Sequence, residues 1–120
     1  MAIQHPQWDV YTGDVWRFYA TVLFDDGTPN DEVADLIAAN KVEWYLMQGT
    51  TKKLELNGST VTVSVVDNDQ GDILIEVQDE ASAAVSPGRY EDYLRIDDAD
   101  GPRVKWTGAI FVHRGAPVPP

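Results

Sequence analysis

The side chains that could do chemistry in this chain are two histidines, a handful of serines and many carboxylates; there is no cysteine. His5 and His113 lie near opposite ends of the 120 residues. A nucleophile–histidine–acid relay needs one of them beside a serine. Ser59, Ser64, Ser82 and Ser86 each lack flanking glycines or a recognisable nucleophile elbow. Both histidines are therefore expected to face solvent, and hydrolase chemistry has no support. Without cysteine there are no disulfides, thiolate nucleophiles or Cys-type zinc sites. Paired carboxylates could serve a glycosidase, but that chemistry also needs a substrate cleft, for which a small sandwich has little room.

Two acidic stretches have the residue types of calcium loops. Residues 67–72 (Asp-Asn-Asp-Gln-Gly-Asp) start like an EF-hand loop. Gly71 then stands where a fifth-position ligand belongs, and Gln78 where the bidentate glutamate belongs. Residues 97–101 are too short and read as a hairpin. Aspartates in such turns usually accept hydrogen bonds from nearby backbone amides. No metal or cofactor is expected.

The formal net charge is −11, from 20 acidic and 9 basic side chains. Such a surface repels phosphate backbones and anionic membranes, so neither nucleic acid nor membrane is an expected partner. No apolar run approaches the roughly 20 residues of a membrane span. The start Met1, Ala2, Ile3, Gln4, His5, Pro6 has no basic segment or apolar stretch, so no signal peptide is expected.

The elements that would position these groups are strands. Apolar and polar residues alternate in one segment after another, and turn residues punctuate them. Residues 15–24 place Trp16, Phe18, Ala20, Val22 and Phe24 on one face. Residues 31–39 form a short helical insert, with Val33, Leu36 and Ile37 at helical spacing and Asn40 as a left-handed stop. Val42, Trp44 and Leu46 point one way in the next strand. Residues 52–56 read as an edge strand guarded by charge. Asn57-Gly58 reads as a hairpin turn into Val61, Val63 and Val65. Ile73, Ile75 and Val77 follow, then a helical turn over 79–85. A final hairpin comprises 89–96, 97–101 and 102–113.

The sum is an all-β antiparallel sandwich of about seven strands with a short helical insert. Residues 1–12 are an N-terminal arm, 13–113 the sandwich and 114–120 a Pro-rich tail. The registers place Trp16, Phe18, Phe24, Trp44, Tyr90 and Trp106 in the core. They turn Tyr19, Tyr45, Met47, Leu74, Tyr93 and Phe111 outward, an apolar exterior of the kind that marks interfaces. An alternative use of surface aromatics is sugar stacking, as in carbohydrate-binding modules, with Trp8 and Tyr11 as platforms.

Four stretches resemble the immunoglobulin-like domain of phage tail and baseplate proteins, the type at the N-terminus of the baseplate upper protein. They are Thr12-Gly13-Asp14-Val15-Trp16-Arg17-Phe18; Asp26-Gly27-Thr28-Pro29 leading to Val42-Glu43-Trp44-Tyr45-Leu46; Pro87-Gly88-Arg89-Tyr90 with the strand after it; and Trp106-Thr107-Gly108-Ala109-Ile110-Phe111-Val112. Their order and spacing over 12–113 carry the likeness. Gly88-Arg89-Tyr90 also resembles the entry to a tyrosine corner. Asp92 then takes a position that such domains give to an apolar residue or cysteine, and if half-buried it needs a partner such as Arg89 or Arg17.

The resemblance implies a non-catalytic virion protein that assembles with other virion proteins or with itself. It would be made in the bacterial host cytoplasm and sit in tail, baseplate, fibre base or capsid decoration. The insert at 31–39 is longer than the corresponding loop. The lack of a separate receptor-binding domain favours an adaptor, fibre-base or decoration role over host recognition. The interface candidates are Tyr19, Tyr45, Met47, Tyr93, Phe111 and Trp8.

Overall fold

A computed structural model describes residues 2–115. Nine strands and two short helices follow in the order β1 (Ile3–Gln4), β2 (Trp8–Tyr11), β3 (Trp16–Thr21), α1 (Val33–Ala38), β4 (Val42–Gln48), β5 (Thr51–Glu55), β6 (Val61–Asp67), β7 (Asp72–Val77), α2 (Asp79–Ala83), β8 (Gly88–Asp98) and β9 (Gly101–His113). One sheet has the order β1-β9-β8-β4-β5, with β2 also on β9; the other is β3-β7-β6. This is an immunoglobulin-like sandwich, the second sheet corresponding to strands B, E and D and the first to G, F, C and C′.

Alternation builds the core as expected. Trp16, Phe18 and Ala20 from β3 and Ile73, Ile75 and Val77 from β7 are buried against Val42, Trp44 and Leu46 of β4, with Leu94, Ile96, Ile110 and Val112. The tyrosine corner is present: the Tyr90 hydroxyl donates to the Ser86 carbonyl at 2.6 Å. Helix α1 buries Val33 and Leu36, and Asn40 ends it in the left-handed region at φ 57°. In the β6–β7 turn, Gly71 is required at φ +72°, because a Cβ there would lie 2.3 Å from the Val22 carbonyl oxygen.

Several expectations need correction. The N-terminal arm, open in the sequence between an extended arm and a first edge segment, is an edge segment with a parallel pairing that alternation did not announce: β1 and β2 both pair with β9, Ile3 opposite Trp106 and Trp8 opposite Ile110. The sandwich is therefore antiparallel except at this edge. Asn57-Gly58 does not close a hairpin. β5 belongs to the first sheet and β6 to the second, so this turn carries the chain between layers. Asn57 Oδ1 accepts the amides of Ser59, Thr60 and Val61, which holds this turn. The first core strand ends at Thr21, and Phe24 sits half-buried in the turn beyond it. The expected tail over 114–120 lies outside the described residues from 116 onward.

Trp106 is half-buried rather than core, and its indole donates to the Thr21 carbonyl at the sandwich rim. A bulge is the cause: Leu94 faces Trp106 but Arg95 faces Val104, so Lys105 is the extra residue. Lys105 turns in among carboxylates, its Nζ 2.9 Å from Asp100, 3.3 Å from Asp98 and 3.6 Å from Asp25. Burial lowers the ammonium pKa, but hydrogen bonds to Asp100 and Asp98 outweigh it, and the net shift is upward. The Lys105 hydrogen bond, with the Asp25 amide, holds the Asp100 carboxyl below its usual value. A depressed carboxyl contributes stability above its unfolded pKa, lost as pH falls through the folded value. Lys105→Met is therefore expected to lower the urea midpoint at neutral pH and to lower it less in acid. An equal loss at both would show that the charge plays no part.

Candidate functional site

The two histidines were expected in solvent. His113 is half-exposed and bonds Asp9 Oδ1 through Nε2 at 2.8 Å. His5 is buried. Its Nε2 lies 2.5 Å from Asp92 Oδ1 and its Nδ1 2.6 Å from the Pro6 carbonyl oxygen. The Pro6 carbonyl and an ionised Asp92 both only accept, so beside them both ring nitrogens donate and the ring is an imidazolium. Burial pulls its pKa down, but the bonds to Asp92 and Pro6 and the Asp92 charge more than reverse this, leaving it above 6.5. Asp92 is 2% exposed, and its partners are neither Arg89 nor Arg17. Oδ2 accepts the Trp44 indole N–H at 3.0 Å, and the backbone carbonyl accepts the Thr107 hydroxyl at 2.9 Å.

Strand β9 makes room for this pair by omitting a side chain. Gly108 is directly opposite Asp92, and a Cβ on it would fall 2.4–2.6 Å from the His5 ring. Trp8 stacks on His5 at 3.5 Å and on Phe18 at 4.8 Å, both nearly parallel. Asp92 thus occupies the place, two residues after the corner tyrosine and against the strand-C tryptophan, where antibody domains put one cysteine of their inter-sheet disulfide, while its partner His5 comes from the arm on the same sheet. The side chains of the pair are 0% and 3% exposed, which leaves no route for a substrate. What the pair does is fasten β1 and β2 to the sandwich.

The interface candidates separate into three groups. Tyr45, Met47, Tyr93 and Phe111 share the outer face of the larger sheet. Tyr45 and Tyr93 are directly paired and stacked at 5.4 Å, with Lys52 Nζ 5.1 Å over the Tyr45 ring. The Tyr93 hydroxyl donates to Glu91 at 3.0 Å, which, with burial, raises its pKa. Phe111 packs near His113, and His113 near the exposed Tyr11. Tyr19 lies on the opposite outer face, 60% exposed and paired with Leu74. Trp8 turns inward, so its stacking faces meet protein instead of forming an open sugar platform.

The acidic loops are engaged in local structure. Asp67 accepts the Asp69 amide, and Asn68 bridges to α1 through the Ala34 amide and the Asp31 carbonyl. Among the described residues, no cluster of His, Asp and Glu is placed to hold a metal ion, and no helix is long and apolar enough to cross a membrane.

One feature of the surface was missed in the sequence. Val65 and Val66 of edge strand β6 are 38% and 55% exposed. The uncharged run from 59 to 66 was the signal available.

No protein-family model matches the chain, and neither does any curated protein. Among solved structures, InlP of Listeria monocytogenes is similar with a TM-score of 0.48 and 16% identity, over 92% of this chain and 26% of that one. The N-terminal Ig1-2 module of the Drosophila receptor protein tyrosine phosphatase DLAR is similar with a TM-score of 0.45 and 15% identity, over 94% of this chain and 47% of that one. The chain thus spans less than half the length of either.

Proposed function

We propose that this chain is a non-catalytic structural protein of a phage or prophage virion, in tail, baseplate, fibre base or capsid decoration, and that it works by protein–protein assembly. The observation that supports assembly is the band on the outer face of the larger sheet. Tyr45, Met47 and Tyr93 adjoin there and Phe111 lies further along β9 on the same face, a set of the aromatic and methionine composition enriched at interfaces. Charged residues stand around and among them: Lys52 on β5, Glu43 on β4 and Arg95 on β8, with Glu91 opposite Met47 and Arg89 opposite Phe111. The assignment to a virion rests on the order and spacing of the four sequence stretches over 12–113.

The test is incorporation. The chain should be found by mass spectrometry in particles purified from the producing strain. Tyr45→Ala or Phe111→Ala should keep the parent unfolding free energy to within about 1 kcal/mol. Either should weaken binding to particles lacking the chain by roughly 30-fold, the size of an interface hot spot. Absence from purified particles would remove the virion assignment. Undiminished binding by both variants would remove the sheet face.

A further inference from the structure

Edge strand β6 differs from the other sheet edges. β5 carries Lys52, Lys53 and Glu55, β2 carries Asp9 and β3 carries Arg17, whereas β6 has no charge from Val61 to Val66 and no proline or glycine, its one irregularity being the register shift between Val65 and Asp67 at its end. Natural edges are usually guarded by such residues, and an unguarded one is a template for another strand.

The hydrogen-bond phase shows which groups are open. The Gln78 amide donates to the Thr60 carbonyl, so up to the register shift after Val65 the even-numbered residues of β6 bond β7 and the odd-numbered ones point away. The Val61 amide and carbonyl are taken by the Asn57 turn. Val63 and Val65 are left facing outward from the edge. Beside them is a groove of about 600 Å³ between the layers, lined by Ile37, Trp44, Leu56, Val61 and Val63 among others.

We infer that β6 pairs antiparallel with β6 of a second copy about a two-fold axis through Ser64. The strand is self-complementary in that register. Val63 meets Val65 of the second copy in hydrogen-bonded pairs, and Ser64 meets Ser64 across the axis. The half-exposed Val65 of each copy comes to lie beside the other's Val63, at the groove mouth. Two three-stranded sheets become one of six strands. The strip is uncharged in a chain of net charge −11, so two copies meet here without bringing like charges into contact. This interface is separate from the aromatic face of the larger sheet.

The chain has no cysteine, so single substitutions report contacts cleanly. Ser64 faces Ser64 in a non-hydrogen-bonded pair, with Cα atoms about 4.5 Å apart, inside disulfide range. Ser64→Cys should therefore give a disulfide-linked dimer under mild oxidation, and Tyr19→Cys, exposed on the other edge of the same sheet, should not. The parent should sediment as a dimer, and Val65→Lys should raise its dissociation constant at least about tenfold. If that variant fails to fold, the Ser64→Cys cross-link decides. A parent that stays monomeric and gives no Ser64→Cys cross-link overturns the inference, including the case where β6 accepts only an added extended peptide. A dimer that cross-links through Tyr45→Cys and not Ser64→Cys also overturns it, while leaving the aromatic face as an interface.

Discussion

Asp92→Ala is expected to cost the fold about 3–5 kcal/mol, the penalty for removing one partner of a buried ion pair. The variant leaves the His5 imidazolium with the Pro6 carbonyl alone and the Trp44 indole N–H unpaired. Total stability for a domain of this size is about 5–15 kcal/mol, so the loss would unfold a marginal version of the protein. Asp92→Asn separates charge from hydrogen bonding, because it keeps the shape but can accept from only one of the two donors. Replacing both members, His5→Phe with Asp92→Leu, should come closer to the parent than either single change, since the double variant strands no charge. Urea titration followed by tryptophan fluorescence measures each of them. A loss below about 1 kcal/mol for Asp92→Ala would contradict the imidazolium assignment.

The same pair sets a pH dependence. The folded pKa of His5 is raised above 6.5. Its contribution is therefore complete below the unfolded pKa and is lost as pH rises through the folded value. Stability should decline as pH rises from the unfolded to the folded pKa of His5, and His5→Gln should flatten the decline. A decline of the same size in His5→Gln would place its origin elsewhere.

Period-two alternation made the main strands legible. It marked Trp16 and Phe18, Val42 to Leu46, and Ile73 to Val77 one strand at a time, and each needs only its own residues to be read. Asn40 and the Gly88-to-Tyr90 entry were legible because a left-handed stop and a corner tyrosine are local devices. What stayed hidden depends on neighbours distant in sequence. His5 and Asp92 are 87 residues apart, and β1 joins β9 in parallel, so no tight turn announces either contact. Asn57-Gly58 offers the same backbone chemistry whether the chain doubles back or changes layer; only the partners of β5 and β6 decide. The bulge at Lys105 moved one residue inward and another to the rim, which alternation cannot foresee. For the interface candidates, alternation placed Tyr45, Met47, Tyr93 and Phe111 outward correctly. It could not place Trp8, because residues 1–13 show no period of their own.

The fastening of that arm gives the second large effect. Gly108→Ala should cost nearly as much as Asp92→Ala, although alanine is otherwise better suited to a strand. The added Cβ would stand 2.4 Å from His5 Cε1 and within 2.6 Å of both ring nitrogens. The contact is with a ring wedged between Trp8, Asp92 and the Pro6 carbonyl, so the neighbour has little freedom to yield. The imidazolium must leave, and with it go the Asp92 bond, the Trp8 stack and the anchoring of β1. Local detachment distinguishes this from general strain: amide hydrogen exchange should accelerate first at residues 3–11, while β7 keeps its protection. In a His5→Ala background the slot is already empty, and Gly108→Ala should then cost almost nothing. Additive losses in that double variant would mean that Gly108 answers to a backbone constraint and not to the histidine, and the buried pair would lose its claim to hold the N-terminal strands in place.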